Sequence, residues 1–90
     1  MESKRELIEA MCNHNSLNKN VVCCIEEMSE LTKVLTKYLR ESPKFNKENL
    51  LEEVGHVLLM CEVIAMQHDL KPADIFQIQE DVVRRMYENK

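Results

Sequence analysis

Two short acidic stretches carry side chains suited to divalent cations, Glu26-Glu27-Met28-Ser29-Glu30 and Glu52-Glu53-Val54-Gly55-His56. Each sets a Glu three residues before a second metal-competent group, Glu27 before Glu30 and Glu53 before His56. On a helix that spacing puts both groups on one face. The chemistry predicted is cation binding, because carboxylates drawn together out of water are costly unless a positive ion neutralises them.

For the two stretches to meet, the chain must reverse between them. Glu41-Ser42-Pro43-Lys44 supplies the reversal, since proline cannot continue a helix and biases the residue before it away from helical geometry. The pair Glu27 and His56 and the pair Glu30 and Glu53 are both centred between Glu41 and Ser42. An antiparallel helix hairpin therefore sets Glu30 level with Glu53 and Glu27 level with His56. Glu pairs at helical spacing are common on solvated faces. Two of them in mirrored register, each beside apolar residues, favour a site over surface decoration.

The elements that position these groups are four predicted helices. The first opens at Ser3, where Ser3-Lys4-Arg5-Glu6 has the capping-box pattern, and carries the stripe Leu7, Ile8, Met11 and Cys12. Asn13-His14-Asn15-Ser16 ends it, with Asn18 or Asn20 as cap of the next. The second runs from about Lys19 to Arg40, with Val21, Ile25, Met28, Leu35 and Leu39 on one flank and Cys24, Leu31 and Val34 on another. The third starts after Asn46 as N-cap, with Phe45 and Leu50 as a hydrophobic staple. Its main stripe is Leu50, Leu51, Val54, Val57, Leu58, Cys61, Ile64 and Ala65, and Leu59, Met60, Val63 and Met66 make its second half apolar on nearly every side. Such a helix is central or covered by another subunit. Gly55 within it predicts close approach of a backbone or ligand. Pro72 opens the fourth helix, which has the stripes Ile75, Ile78, Val82, Met86 and Phe76, Val83, Tyr87; Arg84, Arg85 and Lys90 suit its C-terminal dipole.

Ninety residues, residues 1–90, make a single domain near the lower limit for a self-sufficient core, so a homodimer or dimer of dimers is expected. One Gly, two Pro and no Trp, with abundant Glu, Lys, Leu, Met and Val, indicate an all-α fold. A net charge of −4 argues against nucleic acid as a partner. Cys12, Cys23, Cys24 and Cys61 have no CxxC spacing and read as reduced, small apolar residues of a cytoplasmic protein. A zinc set of Cys12, His14, Cys23 and Cys24 fits no common module. No signal peptide is expected, and the apolar stretch Val57 to Met66 is interrupted by Glu62 and too short to cross a bilayer, so no membrane association is expected.

At the two acidic stretches the sequence resembles the MazG-like superfamily of all-α nucleoside triphosphate pyrophosphohydrolases. Members carry Glu-x-x-Glu on one helix and, roughly two dozen residues on, Glu-x-x-Asp on the next. Glu27-Met28-Ser29-Glu30 matches the first motif in full. Glu53-Val54-Gly55-His56 matches the second except that His56 stands where Asp is usual. The resemblance covers the helix two and helix three hairpin and is nearest to short phage and low-GC bacterial types. It implies a four-helix, bundle-like MazG-type fold with that hairpin at its centre. The implied reaction is Mg²⁺-dependent cleavage of a nucleoside triphosphate to monophosphate and pyrophosphate. Glu27, Glu30 and Glu53 would be catalytic carboxylates and, with His56, metal ligands, one carboxylate being free to orient or deprotonate water. Imidazole in the set makes Mn²⁺ an expected alternative. Asn15, Asn18 and Asn20 are polar candidates for the base pocket. Relatives often carry a phosphate-facing Lys on the last helix; here Asp81 takes that place, with Arg84 and Arg85 beside it. Two other classes of protein share these residues: a nucleotide-binding bundle without turnover, and a di-iron carboxylate bundle, since Glu53-x-x-His56 is also a ferritin-like ligand motif.

Overall fold

The computed structural model describes residues 3–88, and Lys90 lies outside the described residues. Four helices form the chain: α1 (Lys4–His14), α2 (Leu17–Leu39), α3 (Lys47–Gln67) and α4 (Pro72–Glu88). No strand occurs among the described residues.

Side-chain caps set where three helices begin. Ser3 Oγ accepts from the Glu6 amide at 3.1 Å, Ser16 Oγ from the Lys19 amide at 3.1 Å, and Asn46 Oδ1 from the Asn49 amide at 2.8 Å. The Ser16 cap corrects the expected start of α2: Asn18 and Asn20 lie inside the helix, while α1 runs on through Asn13 and His14 to Asn15 as its C-cap. At the other ends, α2 and α3 stop in the same way. Glu41 and Asp69 each turn to φ 55°. The amides of Ser42 and Leu70 then bond back to Lys37 and Ala65 carbonyls at 3.0 and 2.9 Å, satisfying acceptors that the helix leaves open. An acidic residue occupies a left-handed position that glycine fills without strain.

The principal packing is α2 against α3, with α1 laid on α3. Three pairs show α2 and α3 to be antiparallel: Glu27 meets His56, Cys24 meets Cys61, and Asn20 meets Gln67. The core formed there is small, built on Ile8, Cys24, Met60 and Val63. Its composition selects among the expected stripes. On α3 Met60, Val63 and, from the expected main stripe, Ala65 are buried, whereas Leu51, Val54, Leu58 and Cys61 of that stripe are exposed. On α2 the inward face carries Cys24 and Val34, whereas Ile25, Met28, Leu35 and Leu39 are exposed. No residue of α4 is buried. No backbone of the same chain approaches Gly55, where a Cβ would meet nothing within 4 Å.

A polar plug joins α1, α2 and α3. Asn20, 1% exposed, donates through Nδ2 to Gln67 Oε1 at 3.0 Å and accepts at Oδ1 from Asn15 at 3.4 Å. Gln67 Nε2 in turn donates to the Cys12 carbonyl at 3.2 Å. Buried amides satisfied in this way tolerate only one register of the helices. Replacing Asn20→Ala leaves the Gln67 carbonyl oxygen unpaired, with an expected loss of about 1–3 kcal/mol in chemical denaturation. Asp69→Gly relieves the left-handed backbone, with an expected gain of about 1 kcal/mol in the same assay.

Candidate metal centre

The α2–α3 register brings Glu27, Glu53 and His56 together, each offering a ligand atom within 4.8 Å of the other two. Glu27 and Glu53 are half-buried and His56 is exposed. His56 Nδ1 lies 3.0 Å from Glu27 Oε2, so a protonated Nδ1 donates to that carboxylate. Glu30 belongs to the same end of the seam but not to this triangle. It is exposed, its Oε1 accepts from Lys33 Nζ at 3.3 Å, and it acts on Glu53 through its charge. Ser29, between the two glutamates of the first motif, donates its hydroxyl to the Ile25 carbonyl at 3.0 Å and so points back along its own helix.

Glu53 is the group under strain. Its Oε2 is buried and has no hydrogen-bond partner. Desolvation pushes its carboxyl above the ordinary range. The Glu27 carboxyl, through hydrogen bonding and then charge, pushes the same way; His56 opposes and Glu30 adds a little. No lysine or arginine is among the groups acting on it. Two neighbouring carboxylates and a sealed oxygen fit a cation better than they fit a proton alone. Donors about 2.1 Å from one ion are about 3 Å apart at right angles and about 4.2 Å apart when opposite, so the 4.8 Å span needs only slight closure. Two carboxylates with an imidazole suit Mn²⁺, Fe²⁺ or Zn²⁺ more than Mg²⁺.

Other sequence-derived candidates lie elsewhere. Asn20 is sealed in the polar plug and presents no surface to a ligand. Its partner Gln67 carries no cap, turn or motif signal; its only signal in the sequence is an amide ending an apolar run. Arg84 lies on the exposed α4 beside Phe76, Glu80 and Val83. Asp81 accepts from Gln77 at 3.1 Å on the same helix. Among the described residues, the metal-competent grouping is Glu27, Glu53 and His56; Cys12, His14, Cys23 and Cys24 do not form one. A paired Glu-x-x-His set for di-iron is not assembled within one chain, which has that motif only at Glu53 and His56. No family model, curated protein or solved structure matches the chain.

The Glu53 shift fixes a pH dependence. A carboxyl whose folded pKa is raised stabilises fully below its unfolded value, near 4.5, and loses that contribution as pH rises through the folded value. Metal-free protein is therefore expected to lose this contribution to its melting temperature over that window. Mn²⁺ is expected to reverse the loss at pH 7.5 and to have little effect at pH 5, because ligation displaces protons. At about 100 times its Kd the ion adds about 2.7 kcal/mol. Glu53→Gln is expected to flatten both responses; an unchanged Mn²⁺ shift in that variant would remove Glu53 from the ligand set.

Proposed function

We propose that this chain is a metal-dependent nucleoside triphosphate pyrophosphohydrolase of the MazG-like all-α type, cleaving NTP or dNTP to monophosphate and pyrophosphate as a homodimer or dimer of dimers. The observation that carries the reading is the meeting of Glu27, Glu53 and His56 around a sealed, unpartnered carboxylate oxygen. These three residues would hold Mn²⁺ or Mg²⁺, and the bound ion would screen phosphate charge and acidify a water. Glu27 orients the His56 ring through the 3.0 Å contact. Glu30 stays outside the triangle as an exposed carboxylate, suited to orient the attacking water or accept its proton. Lys33 keeps Glu30 from adding its full charge to the cluster.

Surface area supports the oligomer. The chain exposes 7625 Å², against about 5,500 Å² for a compact monomer of this mass. Its radius of gyration is 15.8 Å, where about 12 Å is usual for this length. The excess of about 2,000 Å² per chain matches what each member of an obligate dimer hides. Exposed Leu51, Leu58, Phe76, Ile78 and Met86 supply apolar surface for it. A second reading, nucleotide binding without turnover, is favoured by one observation: no lysine or arginine is among the groups acting on Glu53.

The deciding measurement is pyrophosphate release from a panel of standard and modified nucleoside triphosphates, with Mg²⁺ and with Mn²⁺, on wild type and His56→Asp. Wild type is expected to turn over faster with Mn²⁺ than with Mg²⁺, and His56→Asp to shift the preference toward Mg²⁺. Absence of release with either metal, alongside nucleotide binding by calorimetry, would select the second reading. Light scattering is expected to give a mass of at least twice 10.6 kDa.

A further inference from the structure

The α2–α3 seam holds a second reactive pair that the metal site does not use. Two hydrogen-bonded rungs bracket it, Glu27 with His56 at 3.0 Å toward the turn and Asn20 with Gln67 at 3.0 Å toward the open end. Antiparallel helices fixed at those rungs set Cys24 opposite Cys61 between them. Cys61 is a near neighbour of the Cys24 thiol and acts on it. All four cysteines are free; Cys24 is buried and Cys61 exposed. Burial first, and then the neighbouring Cys61, pushes the Cys24 thiol up, so Cys24 stays protonated while Cys61 is the sulfur that a dissolved oxidant reaches.

We propose that Cys61 and Cys24 form a site of reversible thiol oxidation by hydroperoxides, closing to an intrachain disulfide across α2 and α3. The Cys61 sulfur attacks a peroxide oxygen and the O–O bond breaks. With hydrogen peroxide this leaves a sulfenic acid on Cys61 and one water. The Cys24 sulfur then attacks the Cys61 sulfur, the S–O bond breaks, and the hydroxyl leaves with the Cys24 proton as a second water. Two thiols and one peroxide become one disulfide and two waters; the sulfurs lose two electrons and the peroxide gains them. Closure locks the helix spacing next to the Glu27–His56 rung. Cys12 is excluded by its own bond, a thiol donating to the Val63 carbonyl at 3.6 Å.

The test uses the full chain, reduced and freed of metal and nucleotide, so its outcome is independent of the hydrolase reading. After a mild dose of hydrogen peroxide the protein is denatured in N-ethylmaleimide and weighed intact. The expected result is that four alkylations fall to two on a monomeric chain, with peptide mapping joining Cys24 to Cys61. The melting temperature is expected to rise by about 10 °C and to return on reduction. Cys61→Ser changes an exposed side chain and is expected to keep its three remaining alkylations. Cys24→Ala is expected to leave Cys61 as a sulfenic acid that dimedone traps. Four alkylations in treated wild type, a bond between any other pair, or a bond joining two chains would each overturn the proposal.

Discussion

The register of α2 against α3 is the constraint on which the rest of this structure depends. Three rungs cross the seam in order from the open end to the turn: the amides of Asn20 and Gln67, the thiols of Cys24 and Cys61, and the acids Glu27 and Glu53 with His56. Apolar packing alone would not hold them there. The buried core is too small, and side chains such as Met60 and Met66 tolerate a slip. The amide rung is different, because moving either helix by one turn strands a buried donor and a buried acceptor at once. A polar plug at one end therefore fixes which carboxylates meet at the other. Without a cation an ionised Glu53 works against the acidic rung, since it is desolvated beside like charges.

Much of that register was legible in the sequence, because it needs only arithmetic about a proline-bearing turn. Equal spacing of Glu27 and His56 about Glu41 and Ser42 leads to the 3.0 Å contact that is observed. The caps at Ser3 and Asn46 were legible for a similar reason, each being a short polar residue just ahead of an apolar run. The inward faces were not. Both α2 and α3 are apolar on two flanks, and periodicity reports amphipathicity without saying which flank a partner helix covers. The stripe through Leu51, Val54 and Leu58 is as regular as the one through Met60 and Val63, and only the latter is buried. Buried amides leave no periodic trace either, so Asn20 reads as a cap or pocket residue until Gln67 is seen against it. Glu30 did carry a signal, Lys33 three residues on, at the spacing of a helix ion pair.

On the proposed oligomer, the unburied flanks and the exposed α4 would have a common physical cause. A chain of this size can fold around a few side chains only if other apolar surface finds cover. Here that surface is distributed over three helices: Ile25 and Leu35 on α2, Leu58 on α3, Ile78 and Met86 on α4. Gly55, with open space where its Cβ would stand, lies on the same outward side of α3 as Leu51 and Leu58. Its cost of about 1 kcal/mol relative to alanine has no return within one chain. A second copy resting on that side would supply one, which agrees with the excess of exposed area.

Charge balance at the acidic rung bears on what His56 does in place of a carboxylate. On the proposed reading, Glu27 and Glu53 together carry two negative charges, which one divalent ion cancels. Lys33 cancels Glu30. The loaded centre is then near neutral, whereas an Asp at position 56 would leave it with a net negative charge facing a polyanionic triphosphate. On the MazG-like reading that repulsion would call for a basic residue from the last helix; α4 instead carries Asp81, bonded to Gln77, and buries none of its residues. On that reading, His56 and the absence of a basic residue at that place would be two sides of one arrangement. An imidazole ligand lowers the negative charge of the site, and so lowers the need for a cation to counter it. The same exchange moves the preferred ion from hard, oxygen-seeking Mg²⁺ toward metals that accept nitrogen. Metal preference and phosphate recognition would therefore have changed together, through one residue.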